Sequence, residues 1–324
     1  MLNVLITAAR NFVKNYFVAT IMIATLAVFC LTCPNFFSIN NLLDITKQGG
    51  LLSLLALAMT MVLIVGGMDM SVGAIYDICT NFCAGMVISG YGVFLSVAVS
   101  VAAGLGFGIF NMVMIVFIRV PPFIATVGTM FVVTGLTFAY NKGQSILLSN
   151  QPLFFSLAQG ATLGIPNIAI IVAVITVVIY ICLRRFRYGL YMYATGGNSM
   201  AAKAAGINTT LSQLIAYGMS GMLSGLGGAL AASYISGSFA LGSPFEFLIT
   251  AFAAAFLGST LIRQGELNPL GTVIAALFIT SLNNALTLYG VSFLILPGMQ
   301  GTVLILALVL GNWGKKQTGQ MTIF

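Results

Sequence analysis

A chain of 324 residues that is 60% hydrophobic and 5% charged, with a mean hydropathy of +1.09, cannot cover an ordinary water-facing surface. Soluble domains carry about a quarter charged residues, so lipid is the solvent expected around most of this one. The formal net charge of +7 does not point to nucleic acid, because the bases sit in short gaps between apolar runs.

A membrane helix needs about 20 mostly apolar residues. That length predicts an all-α integral membrane protein, a single transmembrane domain over 1–324 with roughly ten helices. They fall near 16–33, 50–66, 71–89, 93–118, 122–140, 166–183, 212–234, 246–262, 269–288 and 292–311. The first run follows Arg10 and Lys14 like a secretory signal. It has no A-x-A exit and many spans follow, which predicts an uncleaved first helix.

Between the second and third helices the sequence reads IVGGMDMSVGAIYD (64–77), placing Asp69 and Asp77 close together in a chain with only five acids. Gly66 and Gly67 end one helix and Ser71 begins the next. Asp69 is thus placed to cap that helix through the Ser71 and Val72 amides, or to border a translocation path. Asp77 lies about two turns further on, beyond the reach of a cap. Its alternatives are a cavity or interface role, beside Tyr76, Thr80 and Asn81, or a packed neutral carboxyl. The fourth helix carries Gly104 and Gly108 as G-x-x-x-G, which predicts close helix packing, and then Asn111. Pro121 and Pro122 open the fifth helix before Phe123, as Pro suits a first helical turn.

Two connections are long. Residues 141–165 are polar and Gly-rich and are expected outside, as a lid or docking surface. Residues 184–211 hold a third of the twelve bases and are expected inside, facing a cytoplasmic partner. The seventh helix repeats the small-residue spacing with Gly221 and Gly225, followed by Gly227 and Gly228. Glu246 opens the eighth, where it either favours the helix N-terminus or lines an outer mouth. Arg263 and Glu266 share the next inner turn and are placed to pair with each other. Asn283 and Asn284 in the ninth helix can bond a polyhydroxylated solute or a neighbouring helix.

The bases check these spans independently. With both termini cytoplasmic, Arg10, Lys14, Arg119, Arg184, Arg185, Arg187, Lys203, Arg263, Lys315 and Lys316 fall inside, leaving only Lys47 and Lys142 of the twelve outside. The absence of His excludes imidazole ligands and a Ser-His-Asp arrangement. Cys30 and Cys33 form a C-x-x-C, and Cys79 and Cys83 share a helical face; a metal or redox role is the alternative to reading the five Cys as small buried hydrophobes. No P-loop motif occurs, so ATP binding by this chain is not expected.

The motifs PNFFSINNLLDI (34–45), GGMDMSVGA (66–74), VPPFIATVGTM (120–130), YGLYMYATGGNSMAAKAAGI (188–207) and NNALTLYGVS (283–292) occur in order with Glu246. Together they resemble the membrane permease subunits of ribose-type sugar ABC importers, in the wider group that includes branched-chain amino acid permeases. The resemblance implies the ABC importer permease fold in a bacterial inner membrane, with two permeases, identical or related, forming the pore. It also implies cytoplasmic ABC ATPase subunits holding ATP and Mg2+, a periplasmic sugar-binding protein and no cofactor on this chain. Asp69, Ser71, Asp77, Asn111, Phe123, Glu246 and Asn284 are the residues expected along the path or its gates. Gly196, Gly197, Asn198, Ala201, Ala202 and Gly206 would form the segment that couples to the ATPase. The chain departs from the family at LGSTLIRQGELNP (257–269), where a Gly-rich stretch is usual, at Asp77, and at Met112 after Asn111. A proton- or sodium-coupled carrier is the rival reading, and a non-transporting membrane anchor a third.

Overall fold

The computed structural model describes residues 17–240, 242–262 and 265–292, with Ile295, Gly298, Gly301 and Thr302. Almost all of the helix predicted at 292–311 lies outside the described residues, as do Arg10, Lys14, Arg263, Lys315 and Lys316. The helices in chain order are α1 (Phe17–Thr32), α2 (Ile39–Ile64), α3 (Val72–Ile88), α4 (Val93–Met112), α5 (Pro122–Asn141), α6 (Pro152–Phe155), α7 (Asn167–Arg185), α8 (Arg187–Gly197), α9 (Ser199–Ala204), α10 (Thr209–Ile235), α11 (Pro244–Gly258) and α12 (Pro269–Leu288). Among the described residues, six helices are long and apolar enough to cross a membrane: α2, α4 with the π-turn Val113–Phe117 that extends it, α5, α7, α10 and α12. The shorter apolar helices α1, α3 and α11 complete the bundle.

α2 begins eleven residues before the predicted start at 50. Hydropathy misses its polar opening turns, which hold Asn40, Asn41, Asp44, Lys47 and Gln48. The Ser38 hydroxyl fixes the start by accepting from the Asn41 amide at 3.3 Å. At its other end Gly66 adopts φ +75°, a left-handed conformation open to glycine, and the chain turns into α3.

Burial separates the interior from the lipid-facing rim. In their apolar windows, α2 is 78% buried and α10 72%, against 22% for the α4 segment and 28% for α7. α10 packs along α4, α3 and α2, and α12 packs along α2 and α11. α4 and α10 approach closely where the two G-x-x-x-G motifs face each other. A Cβ on Gly104 would strike the Gly221 carbonyl, and one on Gly225 would lie 2.5 Å from the Ser100 carbonyl. Without a hydrophobic drive between helices in lipid, this backbone contact is the main source of attraction.

The connection 141–165 is folded back onto the end of α10. It carries α6 and a short antiparallel hairpin, β1 (Ala161–Thr162) with β2 (Ile165–Pro166). The Gln159 side chain donates to the Ser233 and Tyr234 carbonyls at 3.0 Å, and Leu147 bridges to Gly237. At the other end of the bundle lie α8, α9 and the turns 65–71 and 259–268. Arg119, Arg184, Arg185, Arg187 and Lys203 belong to this end, which is called the basic end below.

Candidate translocation path and coupling surface

Asp69 sits in the turn between α2 and α3 and is fully buried, as are Ser71, Asn111 and Ser220 around it. Its Oδ1 accepts from the Ser71 amide at 3.0 Å and from the Ser71 hydroxyl at 2.6 Å. Its Oδ2 accepts from the Ser220 hydroxyl of α10 at 2.9 Å. Asn111 of α4 donates to the Ser71 hydroxyl oxygen at 2.8 Å and lies 3.4 Å from Asp69 Oδ1. The Ser71 amide bond is as expected. Ser71 itself occupies the N-cap position of α3, however, and its side chain makes no capping bond. Asp69 therefore ties three helices together through one carboxylate: α3 through Ser71, α4 through Asn111 and α10 through Ser220. Tyr217 of α10 adds a bond from its hydroxyl to the Met68 carbonyl at 3.1 Å. The Asn111 Oδ1 is buried with no hydrogen-bond partner, leaving one free acceptor in this cluster.

Asp77 is also buried, at 1% exposure, towards the hairpin end. Asn81 donates to its backbone carbonyl at 3.0 Å and lies 3.5 Å from its carboxylate. Gly242, in the turn before α11, packs against the carboxylate so closely that any Cβ there would collide with it. Asn141, at the end of α5, donates to Asn81 Oδ1 at 3.1 Å and approaches the Phe239 and Ala240 carbonyls at 3.2 Å. Asp77 thus faces a polar contact inside the subunit, between α3, α5 and the turn 236–243.

The other expected path residues lie apart from these clusters. Asn284 of α12 exchanges two amide bonds with Asn41 of α2, at 2.8 and 2.9 Å. Phe123 is exposed at the start of α5, and Glu246 is exposed in the first turn of α11.

At the basic end, the inner connection 184–211 holds two short helices. α8 runs to Gly197, and Asn198 then caps α9 by accepting from the Ala201 amide at 2.9 Å. α9 presents Met200 at 82% exposure and buries Ala202, while Gly206 at φ +79° turns the chain into α10. Gly196 of α8 lies on the Ile64 carbonyl, where a Cβ would not fit. The exposed pair α8–α9 therefore touches the same turn that carries Asp69. Glu266 pairs with Arg184 at 2.5 Å, a partner more than eighty residues away in the chain. The expected partner, Arg263, lies outside the described residues.

Ser220, Tyr217, Asn141 and Arg184 were not singled out as site residues from sequence. For Ser220 a signal existed, since a polar side chain next to Gly221 on a glycine-lined face must meet a neighbouring helix. Among the described residues, no group of three or more His, Cys, Asp or Glu gathers as a metal site. The clusters offer hydrogen-bond acceptors and donors to a solute or to a moving helix.

Comparison with known proteins gives a consistent result. The family model described as branched-chain amino acid transport system / permease component matches residues 41–310. The ribose import permease protein of Escherichia coli (strain K12) is 32% identical over 300 residues, covering 91% of this chain and 92% of that protein. The ribose import permease protein of Bacillus subtilis (strain 168) is 35% identical over 279 residues, 86% of each chain. The galactofuranose transporter permease protein of E. coli (strain K12) is 28% identical over 278 residues, 83% of this chain and 81% of that one. No solved structure matches the chain.

Proposed function

Because this chain belongs to the branched-chain amino acid transport system / permease component family, we propose that it is the translocation subunit of an ATP-driven importer of a small sugar or polyol. It is a multi-pass membrane protein and a transport subunit, not itself an enzyme. The basic end faces the cytoplasm of a bacterium, and the end with the β-hairpin faces the periplasm. Two such permeases, identical or related, enclose the path. A periplasmic binding protein delivers the solute, and cytoplasmic ATPase subunits hold ATP and Mg2+.

The observation that carries this reading is the contact between α8–α9 and the Asp69 turn. A short exposed helix with its N-terminus capped is a rigid lever for a partner to move. Gly196 passes that movement by backbone contact to Ile64. The turn beyond it bonds α3, α4 and α10 through Asp69, so a shift of α9 reaches three pore helices together. Alternating access by rigid-body rocking needs such a joint. Asp69, Ser71 and Asn111 form its inner half. Asp77 belongs to the closing contact at the periplasmic side, and Phe123, Glu246 and Asn284 lie at the ends of the helices that move.

The test is purification of the tagged chain from its native membrane in mild detergent, with partners identified by mass spectrometry, beside uptake of radiolabelled ribose. A stoichiometric P-loop ATPase and uptake that fails on ATP depletion are expected. The two buried carboxylates favour one rival, a proton- or sodium-coupled carrier. That rival stands if the chain purifies alone and uptake survives ATP depletion but collapses with an ionophore.

A further inference from the structure

In a chain with only five acids, the position of each is informative. Glu266 occupies the turn between α11 and α12, where its carboxylate meets the Arg184 guanidinium at 2.5 Å. Arg184 closes α7 at the point where the chain passes into α8, and its guanidinium also lies over the Tyr193 ring at 5.4 Å. The Tyr193 hydroxyl, from α8, donates to the Leu267 carbonyl at 2.7 Å, next to Glu266. The turn itself is held in shape at both ends. Asn268 caps α12 by accepting from the Gly271 amide at 2.7 Å, and Gly258 is pressed against the Gly271–Thr272 backbone.

Two independent bonds, one ionic from the end of α7 and one from Tyr193 of α8 to a backbone carbonyl, thus join the α7–α8 junction to the turn 259–268. One turn further along, α8 also lies on Ile64 through Gly196. We infer that Arg184, Tyr193 and Glu266 are positioning residues that bind the turn 259–268 to α8–α9, so that both inner segments move as one body when a cytoplasmic partner displaces α9. This rests on the importer reading for the identity of the partner, but the brace itself stands on the geometry. α11 and α12 pack on α2 and on each other. The brace therefore carries the displacement directly to α11 and α12, which the Asp69 joint reaches only through the packing of α2 and α3. The ion pair is part-exposed, at 23% and 29% for the two side chains, so it can be exchanged without burying a lone charge.

The test places spin labels at Met200→Cys and Ile262→Cys, both exposed, with exposed Cys30 and Cys182 replaced by Ala. Distances are measured in lipid nanodiscs, on the chain with its copurified ATPase, before and after addition of ATP and vanadate. One narrow distance that moves by less than about 2 Å between the two states is expected. Glu266→Gln should broaden that distribution and raise the ATP hydrolysed per solute imported roughly two- to fivefold. The exchange Arg184→Glu with Glu266→Arg should restore both. Tyr193→Phe, which removes the carbonyl bond without changing charge, should broaden the distance if the ion-pair variants do not fold. A wild-type distance that shifts with nucleotide, or a Glu266→Gln distribution identical to wild type, overturns the brace. If no ATPase copurifies, the importer reading fails, and the nucleotide-free distances of the chain alone still decide the brace.

Discussion

At the scale of single residues, Asp69 differs from every other acid in the chain, because donors from three helices converge on one buried carboxylate. Removing it leaves the Ser71, Ser220 and Asn111 donors buried with poorer partners, at a cost of about 1–3 kcal/mol for each one left unmatched. Asp69→Ala is therefore expected to lower the melting temperature in detergent markedly, whereas Asp69→Asn keeps an acceptor and should insert and assemble. Loss of solute uptake in Asp69→Asn with normal membrane abundance is the expected result, measured by immunoblot and transport side by side. How much of this was readable beforehand follows from sequence distance. The Asp69–Ser71 bond is local, and two residues of separation made it visible. Ser220 and Asn141 reach their partners from remote helices, and nothing in a single sequence states which face of α10 meets α3. The same holds for the Glu266 bond to Arg184, which spans more than eighty residues of chain.

At the scale of elements, α4 and α10 are held by glycine against glycine. Gly104→Val would drive a side chain into the Gly221 backbone, and a cost of roughly 3 kcal/mol is expected for such overpacking. Gly106, two residues away, has nothing within 4 Å of its added Cβ, so Gly106→Ala should leave stability unchanged or slightly improved. Thermal melts of the two variants in one detergent compare them directly. For α9, Asn198→Ala removes the cap and should cost about 1 kcal/mol of a six-residue helix, seen as faster hydrogen exchange over 199–204. Hydropathy read α12 at 269–288 to the residue, and α5 to within one, because both spans are mostly apolar and open on a Pro. It could not read the opening turns of α2, which are helical but polar, nor α8 and α9, whose composition is that of a loop.

For the molecule as a whole, the end with Arg119, Arg184, Arg185, Arg187 and Lys203 lies opposite the hairpin, with α7 the connection between them. Leu163, in the hairpin, is 97% exposed, and Met200 is 82% exposed on α9. With Cys30 and Cys182 changed to Ala, an impermeant maleimide is expected to label Leu163→Cys in spheroplasts. Met200→Cys should be labelled only after the membrane is opened. Labelling of both from one side would refute the orientation that places α9 against an ATPase.

The central position of α10 also bears on how the chain is made. α3 and α4 leave the ribosome long before residue 235, yet each finds its main partner in α10, while α2 divides its packing between α10 and α12. Until then the glycine face of α4 and the Asp69 Oδ2, whose donor is Ser220, must wait in the bilayer or in the insertion machinery without their final contacts. Biogenesis therefore has a late commitment point. Nascent chains ending before 209 should remain protease-sensitive, and those extending past α10 should become resistant as a unit.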